Sequence, residues 1–329
     1  MALEHLSASC KNKIIPMIPL KPWRSFEDLS ATTDQIKNSF PDRPVILDVT
    51  KELLTPKQRR TVHGEIDELK ISAGGYDRWC SFIESNVNFI PVIQIEHLEN
   101  LEPQVERLSS LNRGLVVYLT KPSFGFSSQI ARVVKKYSAE ENVLFILDRE
   151  QAGQDLLISA IQSISLVKQI REVSPGSFIS VAATSFPQTF VGLPNQEIYE
   201  RSHFELVAAS AGRERLIYCD HGSARCERQK GGGGEVAPRI DNALANRWDF
   251  FRETGFEDKV DGYRSAAKKA VESDGWSDLS IWGTQIIQET ADGAGTIYYP
   301  AMSTAARINI HLNVQAGTGA APIEEVWEG

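Results

Sequence analysis

Eight short apolar runs recur along this chain, and their spacing limits the folds that it can adopt. They begin at Ile14, Pro44, Phe89, Gly114, Val143, Ser177, Arg215 and Arg247. Their starts lie about 25 to 45 residues apart, which is the size of one strand, one helix and two loops. Apolar residues are nearly continuous within each run, as in parallel strands that are covered on both faces. The sequence therefore predicts an α/β protein with a parallel sheet.

The number of units favours one arrangement of that sheet. Helical patterns separate the runs, for example over residues 127–138 and 154–173. Eight strand–helix units are the number in a (β/α)8 TIM barrel, whereas a doubly wound open sheet usually needs fewer. We expect a TIM-barrel-like fold in a single domain over residues 1–329, with the barrel at about 14–253 and extra C-terminal helices packed on it at about 254–329. The weakest units are the second helix region, residues 51–86, and the eighth strand.

Charge and composition exclude several classes of protein. The formal net charge of −8 argues against broad, non-specific binding to nucleic acid or to anionic membranes. The four cysteines are too few and too scattered for a disulfide scaffold, and the chain does not open on a signal peptide, so we expect a cytoplasmic protein. No apolar run approaches the roughly 20 residues that a membrane-spanning helix needs.

In a barrel, the carboxyl ends of the strands meet at one rim, where TIM-barrel enzymes carry their active sites. Asp48, Asp148 and Asp220 follow three of the runs and are candidate catalytic residues, as ligands of a divalent cation or as acid–base groups. Lys21 and Lys121 are candidate contacts for a phosphate or carboxylate. The other candidate substrate-binding residues are Glu96, Ser185, Arg201, His221, Arg225 and Arg239. The alternative is that strands of any soluble barrel end in charged residues without a site.

In the Asp220-His221 pair, the histidine can titrate near neutral pH, and the adjacent carboxylate can bind a metal or orient the histidine. Consecutive strand residues point to opposite faces, and we assign Asp220 to the barrel axis. Cys219, His221 and Cys226 also suggest zinc, but three ligands at this spacing match no common zinc module.

Four consecutive glycines, residues 231–234, follow this pair. The backbone entropy of such a run predicts that the segment from Arg225 to Arg239 is mobile. It could close over an anion with its basic side chains, or it could be a tolerated flexible insertion. Neither a Walker A motif nor a dinucleotide-binding fingerprint occurs, and the usual nucleophile and zinc-protease motifs are also missing.

Four short motifs resemble those of the beta protein family of bacteria and their phages. They are the opening strand and helix start with Pro19, Lys21, Trp23 and Glu27, then Thr184–Phe190, Arg201 with Glu205, and Cys219–Gly222. The last motif of the family reads Gly-Asp-Tyr-Gly, so that Cys219 and His221 depart from it while Asp220 is retained. The resemblance implies a barrel-like fold and a link to phages or bacterial defence, and it brings no established reaction.

Two classes of function remain open on these observations. The first is a metal-assisted hydrolase that acts on a phosphate-containing or other anionic ligand at the rim, with a divalent cation as its candidate cofactor. The second is a non-catalytic subunit that binds a ligand or a partner protein, such as a sensor, adaptor or inhibitor in phage–host conflict. The substrate, the metal, the partner protein and the oligomeric state do not follow from the sequence.

Overall fold

The computed structural model describes residues 1–23, 26–52, 59–226, 236–276 and 279–318. Its strands are β1 (Met17–Leu20), β2 (Val45–Val49), β3 (Phe89–Pro91), β4 (Leu115–Thr120), β5 (Val143–Gln151), β6 (Phe178–Thr184), β7 (Asn195–Glu197), β8 (Leu216–Tyr218), β9 (Arg239–Ala243) and β10 (Arg247–Arg252). Its α-helices are α1 (Ala8–Lys11), α2 (Leu29–Ser39), α3 (Thr61–Leu69), α4 (Ala73–Ser85), α5 (Leu101–Ser109), α6 (Ser127–Tyr137), α7 (Asp155–Ile158), α8 (Ala160–Val173), α9 (Tyr199–Ala211), α10 (Lys259–Val271), α11 (Trp282–Asp292) and α12 (Pro300–Thr318).

Seven of these strands run parallel. They form the sheets β1-β2-β3 and β4-β5-β6-β8, and a parallel bridge between Val92 and Val116 connects the two. Each of the first seven apolar runs in the sequence supplies one of these strands. The predicted α/β class with a parallel sheet is therefore confirmed.

The two faces of the parallel sheet are covered differently. Val45, Leu47 and Val49 of β2 belong to a large hydrophobic cluster with side chains of α2–α6, α8 and α9, so that this outer face is covered by helices. The alternate residue Ile46 belongs to a small cluster with Val116, as the two-residue period of a strand requires. This inner face draws side chains from all seven parallel strands or the residues that directly follow them.

The predicted eighth barrel strand forms, but it is not part of the parallel sheet. β10 pairs antiparallel with β9 on one side and with β7 on the other. The reason is the short connection, since the three residues 244–246 between β9 and β10 allow only an antiparallel hairpin, whereas a parallel crossover needs a dozen or more residues. No pairing of β8 with β1 occurs in the described ranges, and Ile217 on the inner face of β8 is 44% exposed. Closure into an eight-stranded barrel is therefore not shown.

The predicted C-terminal helices form as α10, α11 and α12, and they build a second core with the antiparallel sheet. Trp248 and Phe250 of β10 pack in one cluster with Tyr263 of α10, Ile287 of α11 and Ile310 of α12. The helices thus cover the small sheet rather than lying as an addition on the parallel one. No helix in the described part of the chain is long and apolar enough to cross a membrane.

Close packing of α11 on α12 gives a test of this second core. A Cβ at Gly283 would lie 2.6 Å from the carbonyl oxygen of Ala306, whereas a Cβ at Gly64 in α3 would meet nothing within 4 Å. We expect Gly283→Ala to lower the free energy of unfolding by about 1–3 kcal/mol because the helices must move apart. We expect Gly64→Ala to raise it by about 0.5–1 kcal/mol through helix propensity. Urea unfolding of the two variants measures both changes, and equal effects would contradict the close helix contact.

Candidate functional site

Three polar side chains meet at the carboxyl end of the inner face, and we call Tyr118, Asp148 and His221 the inner cluster. Tyr118 lies on β4 opposite Ile146, so Asp148, two residues further along β5, is its diagonal neighbour on the same face. His221 comes from the turn after β8. The inner cluster therefore joins β4, β5 and β8 at one point.

The carboxylate of Asp148 is 1% exposed and accepts hydrogen bonds from three groups. The hydroxyl of Tyr118 donates to Oδ2. Nε2 of His221 lies 3.1 Å from Oδ1 and 3.0 Å from Oδ2. The backbone N–H of Glu150 donates to Oδ1 at 2.7 Å. The carboxylate is thus fixed by donors from three segments of the chain.

A backbone irregularity in β5 supplies one of these donors. The register between β5 and β6 shifts between Asp148 and Gln151, and Glu150 has a φ of 60° in the left-handed region. This conformation is unfavourable for a residue with a Cβ. It directs the N–H of Glu150 back to the carboxylate of Asp148, and such bulges are over-represented beside active sites.

The environment stabilises the inner cluster as an ion pair. Burial raises the pKa of the Asp148 carboxyl, but the hydrogen bond and charge of His221 and the hydrogen bond from Tyr118 outweigh it, so that the net pKa is lowered. Burial lowers the pKa of His221, but the hydrogen bond and charge of Asp148 raise it above its ordinary value. Nδ1 of His221 has no hydrogen-bond partner among the residues that the structure describes, and the side chain is 20% exposed. One ring nitrogen is therefore without a protein partner in the described part of the chain.

Asp48 lies on the same face at the end of β2, and its surroundings raise its pKa instead of lowering it. Nε2 of Gln94 donates to its Oδ1 at 2.9 Å, and Nζ of Lys51 lies 4.0 Å from the same oxygen. Burial raises the pKa of Asp48 by more than Lys51 and Gln94 lower it. The inner face thus holds one carboxyl with a raised pKa and one with a lowered pKa.

A second group of the same composition lies beside the first, and we call Tyr218, Asp220 and His311 the outer cluster. Nε2 of His311 on α12 lies 2.9 Å from Oδ2 of Asp220, and the hydroxyl of Tyr218 donates to the same oxygen at 2.7 Å. Burial raises the pKa of Asp220, but the charge and hydrogen bond of His311 outweigh it and lower the net pKa.

The assignment of Asp220 to the barrel axis is therefore wrong. Tyr218 packs on the outer face against Phe204, and the hydrogen bond from its hydroxyl holds Asp220 on the same side. Its other oxygen accepts the N–H of Gly222, whose φ is 62°, and this turn places His221 on the inner face instead.

The three candidate catalytic carboxylates do not form a metal site. Asp48, Asp148 and Asp220 each bind their own partners, and no group of three or more His, Cys, Asp or Glu side chains that could hold a metal ion occurs in the described ranges. Cys219, His221 and Cys226 do not form such a group either.

Of the predicted rim residues Lys21, Lys121 and Glu96, two form ion pairs with residues outside the inner cluster. Lys21 lies 2.6 Å from Glu52, and Glu96 lies 2.5 Å from Lys51, with all four side chains about two-fifths or more exposed. Lys121 is exposed and begins the 3-10 turn after β4. These groups follow the carboxyl ends of β1–β4.

Ser185 and Arg201 have structural partners. The N–H of Ser185 donates to Glu200 Oε1 at 2.6 Å, and its hydroxyl donates to the other oxygen. Arg201 lies 3.4 Å above the Tyr218 ring centroid and donates to Gln315 of α12 at 2.8 Å.

The predicted mobile segment is only partly described. Arg225 donates to the carbonyl of Pro187 at 3.0 Å, and Arg239 is the first residue of β9, where it forms a bidentate pair with Asp241 at 2.6 and 2.9 Å. Arg239 thus lies in a strand rather than a loop. The glycine run lies outside the described residues, together with the rest of 227–235.

Sequence reasoning missed the contribution of α12, although a signal was present. Every fourth residue of this apolar helix is a buried polar one: Ser303, Arg307, His311 and Gln315. Residues four apart lie on one helix face. These four side chains bind Arg239, Asp241, Asp220 and Arg201 respectively. A polar stripe at this spacing indicates a helix that is buried against polar partners.

Comparison with known proteins identifies the family. The sequence matches the Beta protein family over residues 1–317. The chain belongs to the Beta protein family. It is 30% identical over 327 residues to "Protein beta" of Enterobacteria phage P4. The aligned region covers 95% of this chain and 88% of the phage protein. No solved structure matched it. The family predicted from four short motifs is thus confirmed over nearly the whole length of this Beta protein family member.

The ion pair of the inner cluster predicts a shift in the titration of His221. In Asp148→Asn the largest favourable charge is removed while burial remains, so we expect the pKa of His221 to fall to or below its ordinary value of about 6.5. NMR titration of the histidine ring protons measures this change. Asp34→Asn, which removes an exposed carboxylate from α2, is the control and should leave the pKa of His221 nearly unchanged. An unchanged pKa in Asp148→Asn would contradict the pairing.

The same pair predicts a dependence of stability on pH. Because the pKa of His221 is raised on folding, its contribution is fully present below about pH 6.5 and is lost as the pH rises through the folded pKa. Because the pKa of Asp148 is lowered, its contribution is present above about pH 4 and is lost as the pH falls through the folded pKa. We expect His221→Gln to lower the free energy of unfolding by about 2 kcal/mol between those limits and by less at higher pH.

Urea unfolding at a series of pH values measures this profile. His97→Gln is the matched control, since His97 and its partner Glu99 are both more than half exposed. A difference between wild type and His221→Gln that is flat from pH 5 to pH 9 would show that no ion pair forms.

Proposed function

We propose that this protein binds a small anionic ligand, with a phosphate or carboxylate group, at the inner cluster and acts through that ligand in phage–host conflict. The observation that carries the proposal is His221, whose Nε2 is held by Asp148 while its Nδ1 has no hydrogen-bond partner among the described residues and its side chain is 20% exposed. An imidazolium in this state is a fixed, charged donor. Charge-assisted hydrogen bonds of this kind are about twice as strong as neutral ones.

The position in the fold supports a ligand site. The inner cluster lies at the carboxyl ends of parallel strands, where α/β proteins bind their ligands. Lys121 follows β4 at the same edge of the sheet and is exposed, whereas Lys21 and Lys51 after β1 and β2 are paired with Glu52 and Glu96. The charge of Lys121 favours the approach of an anion to this edge.

The phage context comes from the family. A relative that covers nearly the whole chain is encoded by Enterobacteria phage P4. This supports a role in the interaction of phages with their bacterial hosts, as a component of defence or of counter-defence.

A second candidate is acid–base catalysis, as in a hydrolase. It is favoured by the opposite pKa shifts of Asp48 and Asp148 on one face, since carboxyl groups whose environments separate their pKa values can act as acid and base. The described carboxylates do not gather around one position, so this candidate rests on acid–base groups. The non-catalytic alternative is a sensor or adaptor that binds the same ligand without converting it.

Titration with inorganic phosphate at pH 6 tests the binding proposal. We expect the ring resonances of His221 to shift as phosphate binds, and we expect Asp148→Asn to weaken this binding about ten-fold because the charged donor is lost. The exposed His97 serves as an internal control in the same spectra. No shift at His221 up to tens of millimolar phosphate would overturn the proposal.

Two further readouts separate the alternatives. Release of p-nitrophenol from p-nitrophenyl phosphate that is lost in Asp48→Asn supports catalysis, whereas binding without turnover supports the sensor. In bacteria that express the gene, His221→Gln should abolish any change in phage plating, and His97→Gln should retain it. Retention of the full effect by a folded His221→Gln protein would contradict a biological role of the inner cluster.

A further inference from the structure

We infer that Arg225, Arg239 and Arg307 form a second anion site, which binds a phosphoryl group. We call these three residues with Asp241 the arginine cluster. It contains neither Asp148 nor His221, and the inference does not rest on the function proposed above.

Three separate segments bring the guanidinium groups together. Arg239 of β9 forms its bidentate pair with Asp241, and Arg307 of α12 donates to Oδ2 of the same carboxylate at 2.7 Å. Nε of Arg307 also donates to Ser223 Oγ at 3.3 Å. Arg225 follows β8, and its guanidinium lies 5.0 Å from the centroid of the Phe190 ring.

Phe190 brings Arg225 and Arg239 to one place. The guanidinium carbon of Arg239 lies 3.3 Å from the centroid of the same ring. Guanidinium groups stack on aromatic faces and keep their N–H groups available at the edge. Both cations therefore lie within 5.0 Å of one ring centroid, where burial and their mutual repulsion lower the pKa of Arg225.

Arg225 is the side chain with unused donors. Its Nε donates to the carbonyl of Pro187, and in the described ranges neither of its terminal nitrogens has a hydrogen bond or a carboxylate within 4.0 Å. These two nitrogens form the end of the guanidinium that binds phosphate and carboxylate in a bidentate manner.

Among the residues that the structure describes, the charge of the arginine cluster is not balanced. Three guanidinium groups face one carboxylate, and Arg307 is 4% exposed while the Asp241 side chain is fully buried. Burial, first, and repulsion by the other two arginines lower the pKa of Arg307, although Asp241 raises it in part. Buried charge of one sign requires a counter-charge.

A phosphoryl group fits this requirement better than a carboxylate. It carries between one and two negative charges near pH 7 and has three acceptor oxygens, which matches an excess of two positive charges and donors from three segments. A carboxylate has two oxygens and one charge, so it would leave one cation unpaired.

NMR of the arginine side chains with inorganic phosphate tests the assignment. We expect the Nε resonances of Arg225, Arg239 and Arg307 to shift on titration, and we expect Arg225→Gln to weaken this binding about ten-fold or more. Arg225→Lys keeps the positive charge but loses the two parallel N–H donors of the guanidinium, so it should give an intermediate affinity. The exposed Arg132 on α6 provides the matched control, and Arg132→Gln should bind phosphate like the wild type.

Two comparisons decide the outcome. His221→Gln should leave the shifts at the arginine cluster unchanged, and Arg225→Gln should leave those at His221 unchanged, so that failure of one site is distinguished from failure of the other. Acetate should bind the arginine cluster at least ten-fold more weakly than phosphate. Absence of arginine shifts, equal binding by acetate, or full phosphate binding by a folded Arg225→Gln protein would each overturn the inference.

Discussion

A carboxylate that is removed from water must find its hydrogen-bond donors inside the protein, or its burial costs several kcal/mol. Asp148 meets this requirement with the hydroxyl of Tyr118, the imidazole of His221 and the N–H of Glu150. These donors come from β4, from the turn after β8 and from a bulge of β5 itself. One satisfied carboxylate thus fixes the relative position of three elements at the carboxyl end of the sheet. The strained backbone at Glu150 persists because it completes this set.

Two neighbouring residues connect the two hydrophobic cores. His221 binds Asp148 on the inner face of the parallel sheet, while Asp220 binds His311 of α12. His311 in turn stacks on Trp248 of β10, with ring centroids 5.7 Å apart. The inner cluster is therefore held from both sides, by the sheet on which it lies and by the second core. This explains why His221 takes a defined position although it follows the end of its strand.

A strand can be predicted from the sequence where its own residues carry the pattern. Its place in a sheet cannot be predicted where the pairing depends on another strand. Side chains alternate between the two faces of β2, so that Val45 and Leu47 lie on the outer face and Ile46 and Asp48 on the inner face. The strand assignment therefore places the carboxylate of Asp48 on the inner face. β10 has the same local pattern, but its sheet is determined by β9. That strand begins at Arg239, and only the four residues 235–238 separate it from a glycine run that predicts a loop. The roles of Tyr118 and His311 require contacts 30 and 91 residues away along the chain, which no local pattern contains.

The spacing of four along α12 determines how the two candidate anion sites are related. Arg307 and His311 lie on one face of the helix, and they reach the turn after β8 at Ser223 and Asp220, on either side of His221. The inner cluster and the arginine cluster therefore share this turn as a common support. A helix that begins about 80 residues after the turn holds both sites, since without its side chains Asp220 and Asp241 would each lose a buried cationic or imidazole partner. The C-terminal helices are thus part of the architecture of the sites rather than an extension packed beside them.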